Sequence, residues 1–368
     1  MKHVTNLVVG CGLSGAVIAE RLASQKGQQV LVIDQRDHIG GNCYDYRDKN
    51  GINIHKYGPH VFHTNSKEVW DYLSRFTDWH YFMYRVKAVI DGIETIIPFN
   101  LNSISQVFPP SLAKRLEEKL LAIFPYGKKI PILELRAAND PDLQFLANYV
   151  YEKVFLGYTV KQWGVTPEEL DPSVSGRVPV FISRDDRYFQ DTYQAIPKAG
   201  YTKMVERMLD HPNITVQLNT RYQDVKETIS YDRLFYTGPI DEFFNYQLGE
   251  LPYRSLRFDF VTYGKEYYQS GPQINHPENY DYTRSVEYKY YLDDISTNTI
   301  VSFEYPQAFE VGKNERYYPV PNDTSADLYA CYKELADKEC PNVHFIGRLG
   351  EYKYYNMDEA VKRALGTI

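Results

Sequence analysis

Apolar and polar positions change period twice near the start of the chain. Leu7, Val8 and Val9 form a short apolar run that reads as a buried strand, and Gly10-Cys11-Gly12-Leu13-Ser14-Gly15 reads as a turn. Ala16, Val17, Ala19, Leu22 and Ala23 then recur at helical spacing to Gln25, with Gly27 as the stop. Val30-Leu31-Val32-Ile33 is a second strand, closed by Asp34. From about residue 102 to 164 the period is helical, through Leu112, Leu116, Leu120 and Ile123, then Leu143, Leu146, Val150 and Val154. Residues 81–100 and 251–305 read as strands, with alternation at 256–260 and 299–303 and a turn at Ser270-Gly271-Pro272. Two later segments repeat the first pattern, one running through Phe235 and Tyr236 into Gly238, the other through His344 and Phe345 into Gly347. A helix is predicted from Asp358 to Leu365, with Asn356 as N-cap.

This order predicts an α/β protein built around a discontinuous Rossmann-like domain at 1–80, 197–240 and 336–368. An inserted helical domain is expected at 102–164. An antiparallel sheet domain, expected at 81–101, 165–196 and 241–335, would roof a substrate cleft.

Composition narrows the partners. The chain has 368 residues, enough for two or three structural units, and its net charge of −7 argues against nucleic acid or an anionic membrane. An anionic substrate would need a local basic pocket. No apolar run approaches the roughly 18 residues of a membrane span, and no signal-peptide pattern opens the chain, so a cytoplasmic protein is expected. Cys11, Cys43, Cys331 and Cys340 are too scattered for a metal knuckle or redox pair and are expected to be reduced and buried. His60 and His63 lack a Glu or Cys at ligand spacing, so no metal site is expected. Tyrosine is the outlier, at 34 residues; its apolar face and hydroxyl suit sugars, uracil and phosphate oxygens.

The glycine turn is a dinucleotide fingerprint in context: strand before, helix after, and Asp34 ending the next strand. Gly10, Gly12 and Gly15 allow the tight turn, the approach of a pyrophosphate and close helix–strand packing, and Leu13 and Ser14 lie in the turn that leads into the helix whose N-terminus receives the phosphates. Asp34 is placed to accept from ribose hydroxyls. The following Gln35-Arg36-Asp37-His38-Ile39-Gly40-Gly41-Asn42 resembles the glycine pair of the glutathione-reductase-like flavoproteins, which implies FAD. No second GxGxxG provides a nicotinamide domain, so NAD(P)H would reach the flavin through the substrate cleft.

Several strings together resemble the bacterial UDP-galactopyranose mutase family across essentially the whole chain. They are Gly58-Pro59-His60-Val61-Phe62-His63-Thr64, Gly157-Tyr158-Thr159-Val160-Lys161-Gln162-Trp163-Gly164, Arg177-Val178-Pro179, Arg187-Tyr188-Phe189-Gln190-Asp191, Tyr282-Thr283-Arg284, Tyr317-Tyr318-Pro319 and Gly347-Arg348-Leu349-Gly350-Glu351-Tyr352-Lys353-Tyr354. The resemblance implies interconversion of UDP-galactose and UDP-galactofuranose through an adduct of the sugar with N5 of reduced FAD, without net redox change. NAD(P)H would act only as external reductant, and a homodimer is expected. It places Arg177 and Arg284 on the diphosphate, joined by Tyr188, Tyr318 and Tyr354. Phe155, Tyr158, Thr159 and Trp163 would lie by uracil, with Asn275 also lining the substrate site. His60 and His63 are implied beside the flavin and counted with the arginines as catalytic. The cofactor set is Gly10, Gly12, Leu13, Ser14, Gly15, Asp34, Gln35, Gly41, Asn42, His60, His63, Arg348, Tyr354, Met357 and Asp358. Alanine at either arginine is expected to leave the unfolding temperature near that of the parent.

The chain departs from the family at Asn356, where an aspartate is frequent, and at Phe181, where many members carry a nearby arginine. These departures bear on sugar preference, with UDP-N-acetylgalactosamine as the alternative substrate. An amine-oxidase-like flavoenzyme and a flavin-free Rab-regulator-like binding protein are the rival readings.

Overall fold

The computed structural model describes residues 2–169, 179–320 and 322–368. The chain forms two compact units, the first comprising Met1–Phe82, Asp191–Tyr253 and Arg316–Ile368, the second Met83–Gln190 and Arg254–Glu315.

The first unit is built on a parallel sheet. Strand β1 (Lys2–Val9) lies at its centre, followed by helix α1 (Leu13–Lys26) and strand β2 (Val30–Ile33). The sheet runs Ile214–Gln217, β2, β1, Ile229–Tyr236, Val343–Phe345, so the start, middle and end of the chain all contribute. All residues of β2 are buried, as a parallel strand covered on both faces requires. Helix α1 is buried continuously from Leu13 to Ala23, because it packs on the sheet and on the helices Tyr201–Leu209 and Met357–Leu365. Its small residues permit that crowding. Gly27 ends it in the left-handed conformation, φ 64°, its N–H donating to the Leu22 carbonyl. Leu7, Leu31, Ile33, Tyr222, Ile229, Leu234 and Tyr236 form a core cluster on this sheet. A smaller antiparallel sheet pairs Phe62–Thr64 and Trp79–Tyr81 with Tyr193–Pro197.

The main sheet of the second unit runs in the order Tyr253–Tyr263, Thr299–Ala308, Arg284–Glu287, Gln273–Asn275, Val86–Ile90, Ile93–Ile97, and a separate pair joins Lys129–Ile130 to Val180–Phe181. The sheet is mixed rather than purely antiparallel, because Gln273–Asn275 runs parallel to Val86–Ile90. Helices Leu101–Val107, Pro110–Ile123, Ile132–Arg136 and Pro141–Val150 follow, then a π-helical turn Tyr151–Leu156 that runs directly into the helix Gly157–Trp163. Asn100 starts the first of these with a reciprocal capping box to Ser103, and Asp140 caps Pro141–Val150.

The expected helical domain at 102–164 is not separate from the sheet. Helix Leu101–Val107 packs on Ile93–Ile97, and Gly157–Trp163 packs on Thr299–Ala308. Residues 241–253 and 316–335, expected with the sheet, belong to the first unit. Cys11 and Cys43 are buried, whereas Cys331 is exposed and Cys340 half-buried, because both lie on or just after the surface helix Asp323–Glu339.

Candidate functional site

In the first unit three turns converge on the N-terminus of α1. A Cβ at Gly15 would stand 1.9 Å from the Gly10 carbonyl oxygen, so the first turn of the helix fits against the end of β1 only as glycine. A Cβ at Gly41 would stand 2.8 Å from the Gly12 Cα, which brings the glycine pair after β2 against the fingerprint turn. The third turn arrives at Gly347, where a Cβ would stand 3.3 Å from the Ser14 Oγ. Thr237, at the end of Ile229–Tyr236, closes the floor by donating its hydroxyl to the Val9 carbonyl at 2.8 Å.

No side chain caps α1, and its first turn holds no acidic residue. The helix therefore presents its N-terminal N–H groups and positive dipole end to this glycine-lined hollow, a place suited to phosphate. Asp34 is buried, and its carboxylate accepts from the Cys11 N–H at 2.7 Å and the Arg36 N–H at 2.9 Å. Asn42 accepts from the Arg36 guanidinium at 3.0 Å, while Gln35 is exposed. Burial, reinforced by the Asp34 charge, pushes the Cys11 thiol up to about 12, so it is a packing group there.

The remaining first-unit residues of the predicted site surround these turns. Arg348 follows Gly347, donates to the Tyr355 carbonyl at 2.9 and 2.8 Å, and lies 5.8 and 5.2 Å from the rings of Tyr318 and Tyr354. Those two rings meet edge-on, 5.2 Å apart. The Met357 sulfur lies 3.5 Å from the Cys43 sulfur, and Asp358 accepts from the Thr64 hydroxyl at 2.9 Å. That bond ties the histidine strand to the start of the closing helix. Asn356 occupies the N-cap of Met357–Leu365, but its side chain makes no capping hydrogen bond.

His63 sits mid-strand, its Nδ1 2.9 Å from an oxygen of Asp191, whose other oxygen accepts from Asn65 at 2.7 Å. This orienting carboxylate had no assigned role in the sequence reading, although it ends the Arg187–Asp191 string. The His60 Nδ1 lies 2.8 Å from the Gly58 carbonyl, and the His60 N–H donates to the His55 Nδ1 at 3.0 Å. Burial alone pulls His55 down to about 3, so it is a neutral acceptor.

In the second unit Arg284 opens a strand, and its Nε lies 2.6 Å from an oxygen of Glu304, a carboxylate with no solvent exposure. Burial pushes Glu304 above the ordinary carboxyl range, and the Arg284 guanidinium opposes that shift. Asn275 pairs with Arg284 across the ladder, and its side-chain oxygen accepts from Gln273 at 2.8 Å. Tyr84 is buried nearby; its hydroxyl bonds Gln273 at 2.5 Å and lies 3.2 Å from that of Tyr291. The Tyr188 ring lies 5.9 Å from that of Tyr84, with which it makes an edge contact.

Glu304, Tyr84 and Gln273 were missed by the sequence reading. Only Glu304 leaves a signal, an acid inside the alternating Ser302-Phe303-Glu304-Tyr305 run. Phe155 lies in the π-helical turn, 6 % exposed, and Trp163 is 9 % exposed, while Tyr158 and Thr159 are half-buried on the helix between them. π-helical turns widen a helix and recur at functional positions. Arg177 lies outside the described residues.

Comparison with known proteins bears on both units. A family model described as UDP-galactopyranose mutase matches residues 153–354, and one described as an NAD(P)-binding Rossmann-like domain matches residues 8–76. A probable UDP-galactopyranose mutase of Klebsiella pneumoniae is 38 % identical over 371 residues, covering 100 % of this chain and 94 % of the relative. A dTDP-fucopyranose mutase of Escherichia coli is 36 % identical, covering 98 % of this chain and 96 % of the relative. The crystal structure of a reduced UDP-galactopyranose mutase superposes with a TM-score of 0.77 at 16 % identity, covering 99 % of this chain and 93 % of that one. Among the described residues no helix is long and apolar enough to cross a membrane.

Proposed function

The chain belongs to the UDP-galactopyranose mutase family, and on that premise we propose that it interconverts UDP-galactopyranose and UDP-galactofuranose on reduced FAD. The reaction is an isomerisation without net redox change. NAD(P)H serves only to reduce the flavin, and the furanose product feeds cell-surface polysaccharide. The working form is a cytoplasmic homodimer.

The residues of the first unit fit FAD. The glycine hollow at α1 takes the pyrophosphate, and Asp34 is at hydrogen-bonding distance of the same turn through Cys11. Arg348, Met357 and Asp358 border it from the closing segment. When bound and reduced, FAD supplies the nucleophile, so the protein's task is to position and to stabilise charge. Arg284 carries the reading: a guanidinium fixed on one side by a fully buried carboxylate stays charged and oriented. As the anomeric bond breaks, negative charge grows on the departing phosphate oxygen, and a preorganised cation stabilises it. Arg177 is assigned the second diphosphate contact from its motif alone. Tyr188, Tyr318 and Tyr354 are likewise assigned to the diphosphate, and Tyr158 and Trp163 to the uracil, from their motifs alone. His63, held at Nδ1 by Asp191, is assigned to the flavin side from its motif.

The relative named for dTDP-fucopyranose favours a second reading, the same ring contraction on a thymidine-linked sugar. One experiment separates them. Dithionite-reduced enzyme is offered UDP-galactose, UDP-N-acetylgalactosamine and dTDP-fucose, and the furanose products are resolved by chromatography. The expected result is furanose from UDP-galactose, lost when reductant is withheld. Turnover of dTDP-fucose alone transfers the assignment to that sugar, and full turnover by oxidised enzyme removes the flavin-nucleophile reading.

A further inference from the structure

Lys161 has no role in the site described so far, yet it has an unusual environment. It projects from the helix Gly157–Trp163, and its Nζ meets four backbone carbonyls of one loop, those of His276, Glu278 at 2.9 Å, Tyr280 at 3.1 Å and Tyr282 at 3.3 Å. An ammonium has three protons and no acceptor, so alternate carbonyls of the loop share them. Without that charge, four carbonyl dipoles of one short loop would face one another. Burial lowers the Lys161 ammonium to about 8, with the Asp281 charge opposing, so the cation persists at neutral pH.

The loop is the connection from Gln273–Asn275 to Arg284–Glu287, and at its base Asn275 pairs with Arg284. It closes through the His276 N–H donating to the Thr283 carbonyl at 2.8 Å, and the Thr283 N–H donating to the Glu304 carbonyl at 2.9 Å. The helix seats on it by its backbone as well, because a Cβ at Gly157 would stand 2.2 Å from the Pro277 carbonyl oxygen. The far end of the helix is fixed separately: Arg254 donates to the carbonyls of Gln162 at 2.9 Å and Lys161 at 3.2 Å. One side of this junction thus carries Tyr158 and Trp163, the other Asn275 and Arg284.

We propose that Lys161 is a positioning residue whose ammonium locks the loop 276–283 onto the helix Gly157–Trp163, and so sets Arg284 and Asn275 at a fixed distance from Tyr158 and Trp163. The lock itself stands on geometry; that it serves a nucleoside diphosphate rests on the function proposed above. Lys161→Met keeps the stem and removes the charge. Lys161→Ala removes both and leaves room for a small ammonium.

The test uses the full-length FAD-loaded protein, with hydrogen exchange, UDP titration and steady-state kinetics. In Lys161→Met, amides of 276–283 should exchange about tenfold faster, while peptides from Ile229–Tyr236 stay unchanged. UDP affinity should fall about tenfold to a hundredfold, the scale of lost charged hydrogen bonds, and kcat should fall with it because the loosened loop carries Arg284. Ethylammonium should restore UDP affinity to Lys161→Ala but not to Lys161→Met. Unchanged exchange in the loop, an affinity of Lys161→Ala indifferent to ethylammonium, or losses shared equally with FAD content and global stability would each overturn the proposal. Wild-type protein that binds no UDP, with loop exchange still accelerated in Lys161→Met, would reject the functional reading and leave the lock standing.

Discussion

The two units carry their binding groups by different means. In the first, the groups aimed at an anion belong to the backbone, and what makes room for them is the absence of side chains at Gly12, Gly15 and Gly41. In the second, the groups are side chains raised from a sheet, and what holds them is other side chains: Arg284 on Glu304, Tyr84 on Gln273. The first arrangement fails by steric intrusion, the second by leaving a charge or a hydroxyl without its partner. Substitutions in the two units should therefore separate binding from stability in opposite ways.

The largest effect belongs to the glycine turn. In Gly15→Ala the new methyl falls 1.9 Å from a backbone oxygen, so β1 or α1 must move, and the protein is expected to be insoluble or to emerge without flavin. Gly12→Ala meets only the Gly41 Cα at 3.7 Å, an ordinary contact, so the apo fold should change by less than about 1 kcal/mol while FAD affinity falls sharply. Urea unfolding of apo-protein and FAD titration measure the two separately. If Gly12→Ala destabilised apo-protein as much as Gly15→Ala, the hollow would be a packing feature and not a cradle.

Arg284→Ala should lose about 2.7–4 kcal/mol in kcat/KM, the scale of a lost charge-stabilising donor. It also strands a fully buried carboxylate, which costs about 3–5 kcal/mol of stability. The sequence-based expectation of an unchanged unfolding temperature included no buried partner for Arg284, and Glu304 is one. Combining Arg284→Met with Glu304→Leu should return most of the stability and none of the activity. Activity that recovered with stability would mean that Arg284 never touched substrate.

Legibility in the sequence follows the same division. The fingerprint turn, β2 and the closing helix were readable because each is a contiguous string whose period and glycines have local physical meaning. The end of helix α1 was placed within one residue, since Gly27 is a local stop, whereas its start at Leu13 lies inside the segment read as a turn. The constellation at Arg284 was not readable, because Tyr84, Gln273, Glu304 and Arg284 come from four separate strands or loops and meet only when the sheet forms. The resemblance supplied Arg284, and the alternating run marks Glu304 as an out-of-place acid, but nothing in a single sequence pairs the two. The division into units was misjudged for a related reason. Helical period marks a helix, yet does not say whether it packs on its neighbours or on a sheet.

Acid should weaken both units by one mechanism. His55 in the first is held near 3 by burial, and His276 in the second near 4 by burial and the Lys161 charge. Both folded-state values lie below the ordinary 6.5, so the unfolded chain binds the extra protons. Stability is then complete above about pH 6.5 and falls as pH drops toward 4 and 3, by about 1.4 kcal/mol per pH unit for each histidine. His55→Gln, which retains an acceptor for the His60 N–H, should flatten the slope by about that amount in urea unfolding between pH 6.5 and 4.5. An unaltered slope would place the acid sensitivity elsewhere.

The smallest effect tests whether the closing helix faces the cofactor. Asn356 is exposed at the N-cap of Met357–Leu365, with extended backbone and no capping bond, while Asp358 is already engaged by Thr64. Asn356→Asp adds a negative charge at the positive end of the helix dipole, worth about 0.5 kcal/mol at an exposed position. Apo-protein should gain that amount, read from paired urea midpoints. FAD-loaded, reduced protein should gain less, because anionic reduced flavin beside the same helix end would already draw on the dipole and would repel the new carboxylate. The difference between the two gains is the quantity of interest, and it should shrink as salt is raised, since screening weakens the repulsion. Equal gains in both forms at low salt would mean that the helix end lies away from the flavin. Met357 and Asp358 would then bear on the cofactor only through their contacts with Cys43 and Thr64.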